Sequence, residues 1–382
     1  MLRFMYSGIS GMKVNQNKLD VVGNNIANVS TTAFKSSSAR FSDMLYQNAG
    51  TASAPTSNKG GTNAKQVGLG AQLSSINRVM SQGNALSTGR SLDVCLDGEG
   101  YLIVGNGPID YANGVGINSD QSLASGDMII NYTRDGNMTL DKDGNLLTAD
   151  GHRIMGYLLT ATDKSGNDTN PKSGESSIVT TGTRGAATET AVATPGAGDA
   201  YYVDADGRVK AASEKLQPLR IPDEVYVPAT TASSSDDSST TTSPASWQKV
   251  VSFSIGKDGV ITAVLANGKK TALGQIATAT FTNPEGLTAI GGNFYETSPN
   301  SGAEIVRTPV NVDVKKDGSA ESTVRDNSKA FGDVIQGCLE ASNVDLTEQF
   351  TDMITATRSF QASSKLITTG DEILQTITGL LR

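Results

Sequence analysis

A single histidine, two cysteines and one tryptophan in 382 residues, with aromatics at 5%, leave few side chains for the commonest enzymatic chemistries. A nucleophile–histidine arrangement would have to use His152, which follows Gly151 in a turn-forming context and is expected at the surface. Cys95 and Cys338 are too far apart in sequence to read as a metal site or a disulfide framework, so both are expected to be ordinary thiols. No glycine-rich segment opens a helix in the manner of a phosphate cradle or a dinucleotide fingerprint. The run DKDGNLLTADGH (141–152) is no calcium loop: its glycine falls at the fourth position instead of the sixth, and no Glu closes it at the twelfth. Two hairpin turns explain it better. No catalytic, cofactor-binding or metal-ligating residue is therefore expected, and the chain does not read as an enzyme.

Charge and hydropathy exclude further classes. The formal net charge is −8, so no basic face is expected to displace counterions from a nucleic acid. No run approaches the 18 or so apolar residues of a transmembrane helix, and no membrane insertion is expected. The opening stretch MLRFMYSGISGMKVNQN has no uninterrupted apolar core and no small-residue cleavage site, so it is not expected to be a secretory signal peptide.

What the chain does contain is periodicity at both ends. Leu346, Met353, Phe360, Ile367, Leu374 and Leu381 place an apolar residue at every seventh position. Seven-residue spacing returns a side chain to nearly the same azimuth of an α-helix and draws a narrow seam suited to another helix. The amino-terminal residues carry a matching series, Met5, Met12, Leu19 and Ile26, with Leu2 and Ile9 on the adjoining series. Residues 1–40 hold five basic side chains against Asp20, a balance of +4; residues 340–382 hold six acidic against three basic, a balance of −3. Opposite signs favour packing the two helices on each other, although exposed pairs contribute only ~0.2–0.5 kcal/mol apiece. Gly8, Gly11, Gly23, Gly370 and Gly379 each cost a helix about 1 kcal/mol relative to Ala. A helix over 346–381 would run about 54 Å, too long for an ordinary core to cover, so other copies of the chain are the expected source of the missing stability.

Between the ends the composition changes several times. Residues 47–66 hold no large apolar residue and are expected to be an extended linker. From Val67, short alternating runs broken by Asp135-Gly136 and Asp143-Gly144 predict antiparallel β structure, and a stretch of the same character returns at 253–281. The Thr-, Ser-, Ala- and Gly-rich insertion between them, 158–248, carries β signals in PLRIPDEVYVP (218–228) and a low-complexity run at 229–244 that reads as a flexible loop. The expected organisation is multidomain α+β. A terminal helical coiled-coil domain comprises 1–46 and 330–382, and the linker is 47–66. A discontinuous β domain comprises 67–157 and 249–329, and an inserted β-rich outer domain spans 158–248.

Two long stretches resemble a known family. LDVVGNNIANVSTTAFK (19–35) is similar to the amino-terminal signature of the axial proteins of the bacterial flagellum, the rod, hook and hook-associated subunits. LEASNVDLTEQFTDMITATRSFQASSKLITTGDEILQTITGLLR (339–382) is similar to their carboxyl-terminal signature. YTRDGNMTLDKDGNLLTADGHRIMGY and residues 273–302 resemble their β-domain sequences, and the match fades across 158–248. Ala33 stands where many members have Gly before the Phe-Lys pair, which bears on the turn there.

Length and insertion point within that family to hook-type subunits. The resemblance then implies self-association into a curved, hollow helical tube acting as a universal joint between motor and filament. The terminal helices would line the inner tube as a coiled coil, with the β domain as a middle layer and the insert outside. It also implies export through the flagellar type III channel without a cleaved signal, an extracellular location, and contacts with the distal rod, the hook-associated junction proteins, the hook cap and the export apparatus. A distal rod subunit is the alternative in the same class, and a scaffold displaying an enzymatic or adhesive insert the alternative in another.

Overall fold

Two long helices, α1 over Arg3–Ala27 and α2 over Leu346–Leu380, bracket a chain of β-strands. The computed structural model describes residues 3–56, 59–108, 114–118, 121–124, 128–162, 177–178, 199–205, 208–212, 215–228, 230–232, 241–243, 245–307 and 331–380. The chain divides into two units, Met1–Gly83 with Ser342–Arg382, and Asn84–Ala341.

In the first unit, α2 starts where Asp345 caps it, its Oδ1 accepting the backbone N–H of Thr347 at 2.8 Å and of Glu348 at 3.4 Å. Glu348 places a carboxylate in the first turn, favourable at the positive end of the helix dipole. After α1 the chain turns through Asn28–Ser30 and Ala33, which holds φ at +57° while only 1% exposed. The left-handed region costs a non-glycine residue roughly 1–2 kcal/mol, so Ala33 is a strained position. The strand Ser37–Asp43 follows and pairs antiparallel with Ala71–Arg78.

Residues 47–66 differ from the expected linker. Tyr46–Gly50 pairs with Lys65–Gly68, and bridges at Ser53↔Thr62 and Thr56↔Lys59 continue the pairing as one hairpin. A ribbon whose side chains are almost all exposed needs no apolar alternation, which is why composition concealed it. The expected start of the β domain at Val67 is likewise displaced: Ala71–Arg78 pairs inside the helical unit, and the second unit begins at Asn84.

In the second unit, the strands Ser246–Ile255, Val260–Leu265, Lys270–Ile276, Arg153–Tyr157, Tyr101–Asn106, Ile129–Thr133 and Phe294–Glu296 lie side by side in that order, each antiparallel to the next. Strands from both sides of the insertion are thus direct neighbours. Met138–Leu140 and Leu146–Thr148 form a hairpin, and a second turn at 148–151 leads into Arg153–Tyr157, so DKDGNLLTADGH is two turns. Half-buried His152 lies against Phe294, ring centroids 4.4 Å apart.

Part of the expected outer insert shares this core. Lys215–Pro218 pairs with Met155 and Gly156, Glu224–Val227 pairs with the strand beginning at Ser246, and Leu219, Ile221, Val225 and Val227 pack in one cluster with Val94, Leu102 and Ile154. The alternation of apolar residues in 218–228 drives this: a strand with one apolar face is stabilised wherever that face meets a core. Of the low-complexity run, Thr230–Ala232 pairs with Thr241–Ser243, and 233–240 lie outside the described residues. The return to the helices also comes later than 330, because Asp333–Gln336 pairs with Val94–Asp97 and Val334 packs beside Leu96.

A buried ion pair sits beside that return. Arg134 Nε donates to Glu340 Oε2 at 2.8 Å, with both side chains at 3% exposure or less, and Arg134 Nη2 donates to the carbonyls of Leu96 at 3.3 Å and Gly98 at 2.7 Å. Close by, burial first and the Glu340 carboxylate second push the Cys95 thiol up to about 11.

Two outcomes follow. Removing one member of a buried pair leaves the other charge unsatisfied at a cost of about 3–5 kcal/mol, so Glu340→Ala lowers the stability of the β unit by that order, read from denaturant midpoints. Only the thiolate is alkylated, and a thiol raised from 9.0 to about 11 carries about 100-fold less thiolate at pH 8. Cys95 therefore stays unmodified by iodoacetamide at pH 8 in the folded chain and reacts once denaturant unfolds it, as peptide mapping will show.

Candidate assembly interface

The two helices pack antiparallel. Phe4 and Met5 lie against Gly370, Gly8 against Ile367 and Ser363, and Gly11 against Ser363, and farther along α1 Lys18 meets Asp352 and Asn25 meets Gln349. On α2 the facing positions alternate by four and three: Gln349, Met353, Ala356, Phe360, Ser363, Ile367, Gly370, Leu374. The apolar series expected from sequence is one half of this seam. The other half, Gln349, Ala356, Ser363 and Gly370, is small or polar, and from it come the three residues of α2 that are buried, Gln349, Ala356 and Gly370.

The same division holds on α1. Its buried residues are Gly8, Val14, Val22 and Asn25, whereas Met5, Met12, Leu19 and Ile26 are half-buried. Ile9 remains 38% exposed, Leu346 40% and Phe360 37%; Met353, Ile367 and Leu374 are half-buried. Leu2 and Leu381 lie outside the described residues. Met5 and Ile367 are thus brought into the helix contact, while Ile9, Leu346 and Phe360 stay largely exposed. The glycines explain the arrangement: Gly8 and Gly11 have no Cβ where they face Ser363, and a Cβ on Gly8 would stand 3.5 Å from the Ser363 carbonyl oxygen and one on Gly11 3.0 Å from its Oγ. A Cβ on Gly370 would lie 2.7 Å from Phe4 Cε2, whereas one on Gly8 would meet Ile367 Cγ1 at an ordinary 3.4 Å.

Charge complementarity appears as one ion pair between the helices among the described residues, Lys18 Nζ to Asp352 Oδ1 at 2.9 Å. Both groups are partly solvated, which keeps its contribution at or below about 1 kcal/mol. Amide side chains at the ends of the helices make further bonds. Asn25, fully buried, donates to the Ser37 carbonyl at 2.8 Å and to Gln349 Oε1 at 3.0 Å, and accepts from Ser37 N–H at 2.9 Å. Asn343, just before α2, accepts from Ser36 N–H at 2.7 Å and donates to the Val79 carbonyl at 2.7 Å. Lys35, 1% exposed, donates to the Ser81 carbonyl at 2.7 Å.

These polar residues fasten the chain where it leaves α1 and where it re-enters α2. Periodicity could not find them. The available signal was their position inside the two quoted signature stretches, where Asn and Lys interrupt an otherwise apolar pattern. Among the described residues no group of three His, Cys, Asp or Glu side chains gathers for a metal ion, and no helix is long and apolar enough to cross a membrane.

The geometry separates two substitutions at one site. Gly8→Ala places a methyl at ordinary contact distance and gains about 1 kcal/mol of helix propensity, so the helical signal of the terminal unit is retained or melts slightly higher. Gly8→Leu wedges the backbones apart, and the helical signal of that unit melts earlier while the β unit is unaffected, as circular dichroism at 222 nm with proteolytic mapping will show.

The stretches that build this pair are those that comparison with known proteins picks out. Residues 5–35 match the family model described as flagella basal body rod protein, and residues 335–380 that of the flagellar basal body rod FlgEFG protein C-terminal. Flagellar basal-body rod protein FlgG of Bacillus subtilis is 34% identical over 382 residues, spanning all of both chains. Flagellar hook protein FlgE of Borreliella burgdorferi is 31% identical over 478 residues, also spanning both, and that of Escherichia coli 25% over 450, covering 97% of this chain and 98% of the relative. A solved flagellar hook protein FlgE2 of Helicobacter pylori matches 67% of this chain and all of its own at 13% identity with a TM-score of 0.33, too distant to carry an argument. Matched along its whole length by relatives above 30% identity, the chain belongs to the flagellar rod and hook family of axial structural proteins.

Proposed function

We propose that this chain is a hook-type axial subunit. It polymerises through its terminal helices into a hollow, curved tube that transmits torque as a flexible joint. The observation that carries polymerisation is what remains exposed once α1 and α2 have packed: Tyr6 at 67%, Ile354 at 57%, Leu366 at 52% and Leu380 at 82%. Large apolar side chains along both helices lose free energy in water at about 25 cal/mol per Å², and neighbouring copies of the same helix pair are the surface that removes them from it. The site is an interface, and the function is structural and not enzymatic.

Hook over distal rod is supported by strands between the two halves of the β unit that extend its sheet, and by hook relatives that align end to end. The rod relative, aligned over 382 residues, this chain's own length, favours the distal rod reading. In either place the subunit is exported by the flagellar type III route and works outside the cell. A hook position adds contacts with the distal rod, junction proteins, the cap and the export apparatus. Electron microscopy of the polymer formed by the purified chain decides: curved, compliant tubes are expected, and straight rigid ones transfer the assignment to the distal rod.

Phe360 tests assembly apart from folding. Its ring lies on the facing series of α2 yet stays exposed beyond a third. In the polymer, Phe360→Asp buries a carboxylate without a partner, which costs several kcal/mol; in the monomer the same carboxylate is solvated. Tube formation is therefore lost while the melting of the β unit stays put. Normal tubes from the variant would remove this seam from the assembly surface.

A further inference from the structure

We propose that the helix pairs of successive copies join head to tail, the far end of α2 in one copy packing on the start of α2 in the next. This rests on the assembly reading above and names the contact within it.

The register of the two helices leaves that end uncovered. Asn25 meets Gln349, Gly11 meets Ser363 and Phe4 meets Gly370, so Arg3, the first residue of α1, falls level with 371. The rest of α2, as far as Leu380, runs on past Arg3 for about 13 Å at 1.5 Å per residue. Along this half of the helix, Leu366, Ile373 and Leu380 are seven apart, the spacing of a seam for a further helix, and all three are exposed, Ile373 at 49%. Leu366 and Ile373 each precede a residue that faces α1, Ile367 and Leu374, and so turn about 100° to one side of the α1 contact.

The start of α2 carries a second apolar strip. Leu346, Phe350 and Ile354 are four apart on one ridge and are likewise exposed, Phe350 at 46%. Phe350 and Ile354 each follow a facing residue, Gln349 and Met353, and so turn about 100° to the other side. Between the strips, on the face away from α1, stand Thr351, Arg358 and Lys365, all exposed. A charged face there separates two narrow strips, and a broad apolar surface such as a lipid bilayer is not what they fit.

The two strips look in opposite directions from opposite ends of one helix, with Phe350 and Ile373 about 35 Å apart along it. One molecule cannot bring them together. A two-fold dimer through either strip covers that strip and leaves the other in water. Setting the far end of one copy on the ridge of the next removes both strips from water with a single kind of contact, repeated in every copy. A contact between two different surfaces of the same chain is heterologous, and unless its rotation closes a ring it propagates as an open helical filament. The occupant of each strip is therefore the other strip of a second copy.

Paired variants test this. Ile354→Lys blocks the ridge and Ile373→Lys the far end; both side chains are exposed, so the helical signal at 222 nm is retained. Each variant alone forms no tubes and sediments as a monomer. Mixed in equal amounts, the two give dimers and still no tubes, since each keeps the strip that the other lacks. Tubes or dimers from either variant alone, or a mixture that stays monomeric, overturn the proposal. If either lysine lowers the helical signal, Phe350→Lys or Leu380→Lys replaces it and is judged in the same way. Tubes of the natural chain that Phe360→Asp abolishes and both lysines spare leave the assembly reading standing and remove this contact. A natural chain that forms no tubes removes that reading, and the mixture still decides the contact.

Discussion

The close antiparallel contact of α1 and α2 is the constraint on which the first unit depends. It is made by residues that contribute almost no apolar area: Gly8, Gly11, Ser363, Ala356 and Gly370. Each helical glycine costs about 1 kcal/mol in propensity, and the return is a backbone approach that larger side chains would forbid. With small residues at these facing positions, Phe4 and Met5 meet α2 only at Gly370, and Ile9, Leu346 and Phe360 stay largely exposed. A monomer so built is marginal in its helical part, and an assembly gains what the monomer leaves uncovered.

Polar groups then fix where the chain may leave and rejoin this pair. Asn25 serves as a strand partner for Ser37 while reaching Gln349, and Asn343 joins the segments at 36 and 79 to the start of α2. Buried amides are favourable only when fully paired, so they penalise any slippage of one helix along the other. The strain at Ala33, φ +57°, is tolerated inside the same network. Bistable sliding, if the polymer needs it, has to come from elsewhere than this contact.

In the second unit the chain's low-complexity composition coexists with a large apolar core and a smaller cluster of Leu159, Val203, Val209 and Ala272. Strands from before, within and after the insertion meet in a single sheet, since what a β core requires is an apolar face every second residue and not sequence neighbours. The scarcity of aromatics has a local exception: Tyr101, Tyr132, Phe281 and Tyr295 form edge-to-face pairs 4.8–5.7 Å apart where strands from the far ends of the unit converge. Tyr201, Tyr226 and Trp247 form the other aromatic group, and that one reaches the surface.

The sequence by itself determined the terminal helices, their packing on each other, the β character of the middle and the family, which are properties of local period and of long signature stretches; that the pair is antiparallel came from the structure. Only the tertiary structure decided which series of each helix is buried. Periodicity marks an azimuth, but the rotation of one helix against another follows from how closely their backbones can approach, and that was set by glycines that looked like defects in the pattern. The hairpin at 46–68 was hidden because its exposed strands need no apolar alternation, and the entry of 215–227 into the core and the return at 333–340 because each depends on pairing with residues far away in the chain. The sites that matter for packing, Asn25, Lys35, Asn343 and the Arg134–Glu340 pair, are polar residues whose worth lies in partners that no linear reading supplies.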